Sequence, residues 1–167
     1  MKDVYRSRLL LSLVAVSVLV IDQLSKAWIA SNLTEYATIS IASWLDPIIS
    51  VTPIRNTGGV FGVFPQLGEL FKYFSLIVII VVIFYQRTIP AQQYWVHGAL
   101  GSVTGGALGN ILDRFQRGYV LDYFDVNFWP LKAWPLFNVA DSAIVIGVAV
   151  MIVDAYFTQD QSEPDNA

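Results

Sequence analysis

The sequence contains no cysteine, which excludes disulfides, thiolate metal sites and a cysteine nucleophile. Any thiol chemistry must come from a partner. It has a single histidine, His97, and no H-E-x-x-H pattern, so the helical zinc-protease arrangement is absent. Charge is also scarce. Only 14% of the 167 residues are charged, the net charge is −3 and no basic run occurs, so the electrostatic footprint of a nucleic-acid binder is missing. What abounds is apolar character: 55% of residues are hydrophobic, too many for an ordinary soluble domain.

A helix rises about 1.5 Å per residue, so roughly 20 apolar residues cross the hydrocarbon core of a bilayer. Four stretches approach that length, at about 9–30, 67–86, 94–114 and 137–157. The first follows Lys2, Arg6 and Arg8. No A-x-A site comes after it, and Asp22, Gln23 and Lys26 continue its helical pattern, so it is read as a retained span rather than a cleavable leader. The basic N-terminus favours a cytoplasmic start, and four crossings return the C-terminus to the same side. The 31–66 connection carries β-type stretches at 38–41 and 48–52 closed by Pro53, which predict a small external sheet. Residues 115–136 hold Trp129, Pro130, Trp134 and Pro135, suited to chain lying along the outer interface. The acidic tail 158–167 is expected to be disordered. The expected fold is thus an all-α membrane protein, a single integral membrane domain over 1–167, with four transmembrane helices, a small external β-sheet or cradle, and an outer interfacial segment between the third and fourth helices.

Gly101, Gly105 and Gly109 recur every four residues, making a smooth stripe on which another helix can pack closely. The polar residues gather at one face of the membrane. Asp22, Gln23 and Lys26 lie in the outer part of the first span and Asn56 in the external loop. Asn110, Asp113 and Arg114 end the third span, Asp122 lies in the outer connection, and Asn138 and Asp141 open the fourth span. Ionisable residues are costly in lipid, about 2.5 to 3.5 kcal/mol for a central aspartate, so they usually mark function. Convergence from separate parts of the chain strengthens that reading. Each group also has a bland reading. Asp22 and Lys26, four apart, would neutralise each other at a helix end with Lys26 snorkelling outward. Asp113 and Arg114 would form a helix-end ion pair, the glycine stripe would serve packing alone, and His97, near the inner end of its span, would be an interfacial or core histidine.

The run Gly109-Asn110-Ile111-Leu112-Asp113-Arg114, then Gly118-x-Val120-x-Asp122, then Phe137-Asn138-x-Ala140-Asp141-Ser142 strongly resembles the lipoprotein signal peptidases, or signal peptidase II. So do Asp22, Gln23 and Lys26, and the stretch Asn56-Thr57-Gly58-Gly59-Val60-Phe61. Tyr123 departs from the phenylalanine that often follows the first aspartate in that family, and Gly59 and Val60 stand where small alanines are common. The resemblance implies an aspartic endopeptidase of the bacterial inner membrane, cutting lipid-modified prolipoproteins just before a cysteine that already carries diacylglycerol. It implies Asp122 and Asp141 as the catalytic dyad, with Asn56, Asn110, Asp113, Arg114, Asn138 and Ala140 shaping the cleft and Asp22 and Lys26 supporting it. A monomer among membrane lipids is expected, with its site at the outer face and no metal or cofactor. The external sheet would cradle the signal helix, with Trp44 and Phe61 as candidate contacts. The alternative from another class is a small proton-coupled transporter, which intramembrane acids also serve. Acids toward one face and halves without resemblance argue against it.

Overall fold

The computed structural model describes residues 1–57 and 68–160. In chain order these form α1 (Lys2–Asn32), β1 (Ile49–Asn56), α2 (Gly68–Tyr85), α3 (Tyr94–Gln116), β2 (Val120–Val126), a 3-10 turn (Leu131–Ala133) and α4 (Val139–Asp160). The Gly58–Phe61 stretch of the motif, and with it Phe61 as a substrate contact, lies outside the described residues, as does the end of the acidic tail.

Helices occupy all four apolar stretches. Among the described residues, α1 and the Val139–Phe157 part of α4 are long and apolar enough to cross a bilayer, and α2 holds a shorter apolar stretch, Tyr73–Tyr85. Both long helices bury only 11% of their apolar window against the protein. Leu13, Val16 and Val20 on α1, and Val145, Ile146 and Ile152 on α4, project outward. Apolar surface this extensive is stable only against an apolar medium. α3 is different. It packs against α1, α4 and α2, and it buries Val96, Leu100, Val103 and Ala107 together with Gly101, Gly105, Gly106 and Gly109.

The glycines explain how α3 can be shared. A Cβ on Gly101 would stand 2.6 Å from the Leu11 carbonyl oxygen, one on Gly105 2.5 Å from that of Ala15, and one on Gly109 2.5 Å from an Asp22 carboxylate oxygen. The stripe therefore faces α1 along its length. Gly106 points to the other neighbour, its missing Cβ colliding with the Ala140 carbonyl of α4, and Gly147 of α4 returns the fit against Ala99. Two helices thus approach α3 to backbone contact on different sides, which favours dispersion and fixes their register.

The sheet corrects two expectations. The 115–136 segment is not only interfacial chain: it contains β2, which pairs antiparallel with β1. β1 in turn does not close at Pro53 but continues to Asn56, with a register shift between Val51 and Ile54. A proline, lacking an N–H, is accommodated at such an irregularity. The expected 38–41 strand contributes one bridge, Ile39 to Val51. The tail expectation also starts too early, since α4 remains helical to Asp160. Ile29 from α1, Val51 from β1, and Leu121 and Tyr123 from β2 form a buried cluster to which Leu33 and Val139 add. That cluster docks the sheet onto the ends of α1 and α4. His97 is buried near the opposite end, as a core histidine, with neither ring nitrogen hydrogen-bonded among the described residues.

Gly105→Leu should cost at least about 1–3 kcal/mol by overpacking against α1, read as a fall in thermal midpoint in detergent. An unchanged midpoint would show that the stripe is not a close contact.

Candidate active site

Helix α4 begins one residue after Asn138, and its first turn is held by side chains from several elements. Asn138 occupies the capping position: its Oδ1 accepts the Asp141 N–H at 2.9 Å, while the Asp141 Oδ2 accepts the Asn138 N–H at 3.2 Å. This reciprocal pair is a capping box built from asparagine and aspartate, and a carboxylate in the first turn also suits the positive end of the helix. The Ala140 N–H is taken by Asp22 Oδ1 of α1 at 3.0 Å. Local helix chemistry thereby aims the Asp141 side chain.

Behind it lies Lys26, without solvent exposure. Its ammonium contacts Asp22 Oδ2 and Asp113 Oδ2, each at 2.9 Å, and donates to Asn110 Oδ1 at 3.1 Å. The snorkelling reading of Lys26 is therefore overturned. Two carboxylates and an amide oxygen replace its water, which a bilayer-exposed ammonium could not obtain. Asp113 also accepts from Arg117 at 3.2 Å, Gln23 at 3.2 Å and the Leu121 backbone N–H at 3.2 Å. It thus anchors β2 to α3. Because an ammonium can only donate, Lys26 fixes which end of the Asn110 amide faces it. The Asn110 NH₂ group is left to donate to Asp141 Oδ1 at 2.7 Å.

Asp122 arrives from β2, opposite Ile54. Strand alternation sends Leu121 and Tyr123 to the buried cluster and Asp122 to the other face. Asn56, two residues beyond Ile54, donates to its Oδ2 at 2.7 Å, and Asn138 Nδ2 donates to its Oδ1 at 2.7 Å. Asn138 therefore joins the two carboxyl groups: its oxygen takes the main chain of Asp141 and its nitrogen binds Asp122. The Asp122 carboxyl is pushed up to about 7, chiefly by burial and next by the nearby Asp141 charge, against the donors Asn56 and Asn138 and the Lys26 charge. An acid so displaced can carry a proton near neutral pH.

Asp122 and Asp141 both face a cavity of about 580 Å³, with Asn56, Asn110 and Arg114 on its wall. Phe74 and Ser75 of α2, Trp134 and Pro135 before α4, and Val145 of α4 make up much of the remainder. The other residues singled out in the sequence lie behind this surface. Asp22, Lys26 and Asp113 form the buried ion cluster, Asn138 bridges the carboxyls, and Ala140, fully buried, packs against Gly106 and Gly109. Trp44 is exposed and is not among the cavity's lining residues. Sequence reasoning missed the α2 wall, where Phe74 and Ser75 sit in an unremarkable apolar run. It also missed Arg117, whose i, i+4 spacing from Asp113 was a usable signal.

Replacing Lys26 with methionine should leave the buried Asp22 without its cation and Asp113 with Arg117 alone. The expected cost is about 3–5 kcal/mol, measured as lost thermal stability in detergent. Wild-type stability would show that the cluster is held by its other donors.

Comparison with known proteins points to one family. The family model described as Signal peptidase (SPase) II matches residues 14–157. A lipoprotein signal peptidase of Shewanella halifaxensis is 37% identical over 157 residues, covering 91% of this chain and 89% of that protein. One from Geobacter sulfurreducens is 34% identical over 167 residues, covering 98% and 100%. A solved bacterial membrane enzyme shares the fold with a TM-score of 0.79 and 27% identity, over 93% of this chain and 92% of its own. Matches this long, to one family in sequence and to a membrane enzyme in shape, show that the chain belongs to the signal peptidase II family.

Proposed function

We propose that this protein is a membrane aspartic endopeptidase that removes the signal peptide from diacylglyceryl-modified prolipoproteins, cutting before the lipidated cysteine. The observation that carries the reading is the joining of Asp122 and Asp141 through Asn138 at the wall of one cavity. Two adjacent carboxyls do not both ionise cheaply, so the pair retains one proton at neutral pH. The ionised member takes a proton from a water held between them while the neutral member hydrogen-bonds the scissile carbonyl. A tetrahedral intermediate forms without a covalent enzyme adduct, and a proton returns to the leaving amine. The roles belong to the pair, which titrates as a unit. Asn110, Asn138 and Asn56 orient the carboxyls, and the Lys26 cluster holds Asn110.

The setting is a bilayer crossed four times, by α1 to α4, with both termini cytoplasmic. The chain then acts as one monomeric domain in the bacterial inner membrane, with the sheet and the site at the outer face. This placement meets the substrate's needs: acyl chains remain in lipid while the peptide bond meets water. The cavity supports the reading. Phe74 and Val145 supply apolar lining, and Arg114 and the carboxyls supply polar lining.

The test is purified protein incubated with a diacylglyceryl-modified precursor peptide. Asp122→Asn and Asp141→Asn should each fold and lower turnover by about 10²- to 10⁴-fold. Retained cleavage in either variant counts against the dyad. The pH dependence has a definite sign. With Asp122 raised to about 7 from an ordinary 3.8, the proton is present below neutrality and lost above it, so kcat should fall as pH rises through about 7. By linkage, the folded chain binds a proton that the unfolded chain releases between about pH 4 and 7. Stability should therefore decline across that window as pH rises, and Asp122→Asn should flatten the decline in detergent unfolding.

A further inference from the structure

Tyr123 follows Asp122 on β2 and points the opposite way, into the cluster of Ile29, Val51 and Leu121 against Val139. It is 2% exposed. A phenylalanine would fill the same space, so the apolar packing does not require the hydroxyl. A buried phenol does require a partner. It finds one in Ser25 of α1, oxygen to oxygen at 2.7 Å. The direction of that bond follows from Ser25, which has one proton to give and already donates it to the Asp22 carbonyl at 2.7 Å. Tyr123 therefore donates to Ser25. The same cluster packs against Val139, the first residue of α4.

We propose that Tyr123 is a positioning residue whose hydroxyl pins the strand bearing Asp122 to the point on α1 that also holds the first turn of the helix bearing Asp141. The chain of donors runs from the Tyr123 hydroxyl to the Ser25 hydroxyl to the Asp22 carbonyl. The Asp22 side chain meanwhile holds an N–H of α4, that of Ala140. Backbone bonds already join Tyr123 and Phe124 to Phe137, which sets β2 beside the entry to α4. The tyrosine adds a tie from β2 to α1, which itself holds α4 through Asp22, and so fixes the separation of the two carboxyls. This inference rests on the dyad reading above.

Tyr123→Phe keeps the ring and removes only the tie, so the protein should fold with a thermal midpoint close to that of the parent. With the carboxyls less closely held, kcat should fall roughly tenfold while KM stays within about twofold. Close carboxyls split their apparent pKa values, so a looser pair should also bring the acidic and basic limbs of the kcat profile toward each other. Because Ser25 acts through Tyr123, the Ser25→Ala/Tyr123→Phe double variant should be no slower than Tyr123→Phe alone. Wild-type kcat and pH limbs in Tyr123→Phe, measured beside an inactive Asp122→Asn, overturn this inference alone. So does a loss that tracks a lowered midpoint with unmoved limbs, or one that adds fully to the Ser25→Ala effect. Retained cleavage by Asp122→Asn overturns the dyad reading and the positioning role with it.

Discussion

The ammonium of Lys26 has no access to water, and most of the surrounding structure answers that constraint. An unpaired buried cation would cost several kcal/mol even after relaxation. Asp22, one helical turn back, supplies one carboxylate, but helix α1 alone cannot supply the rest. Asp113 must come from α3 and Asn110 from the same helix one turn earlier. Satisfying the lysine therefore fixes the rotation and depth of α3 against α1. The same carboxylates then reach outward, Asp22 to the first turn of α4 and Asp113 to the backbone of β2. A single desolvated charge organises four elements.

That organisation is affordable in space only because α3 is smooth. Gly109 stands where any side chain would strike Asp22, and Gly105 and Gly101 keep α1 at the same close distance below it. Gly106 does the same for Ala140 on the α4 side. The polar network and the glycine stripe are thus parts of one design: short hydrogen bonds between helices need backbones that can approach. Close packing excludes water from the cluster, while the wider space beside α2 remains as the cavity.

The carboxyls themselves are treated differently from the ion cluster. Asp122 and Asp141 accept hydrogen bonds from amides, those of Asn56, Asn138 and Asn110 and the Asn138 main chain. Amide donors orient a carboxylate firmly but stabilise its charge less than a contacting cation would. For Asp122, burial and the neighbouring charge prevail over those donors, and its titration moves to about neutrality. Keeping Lys26 one amide away, behind Asn110, holds geometry without locking the charge.

Much of this was legible in the sequence, and the rest was not, for one reason. Apolar runs of about 20 residues are a property of consecutive residues, so the four helices could be placed from them. Glycines at every fourth position lie on one face of any helix, so the close contact followed as well. Alternating helix direction sent the polar residues to one end. Hydrogen-bond partners, by contrast, are chosen across the fold. Lys26 meets Asn110 from 84 positions away and Ala140 meets Asp22 from 118. Nothing local distinguishes a snorkelling lysine from a caged one, an interfacial stretch from β2, or a packing tyrosine from one that donates to Ser25. The sequence by itself determined which segments shun water and which polar groups share an end. Only the tertiary structure decided how those groups pair, because in a dry interior each must find its donor or acceptor among whatever the packing brings near.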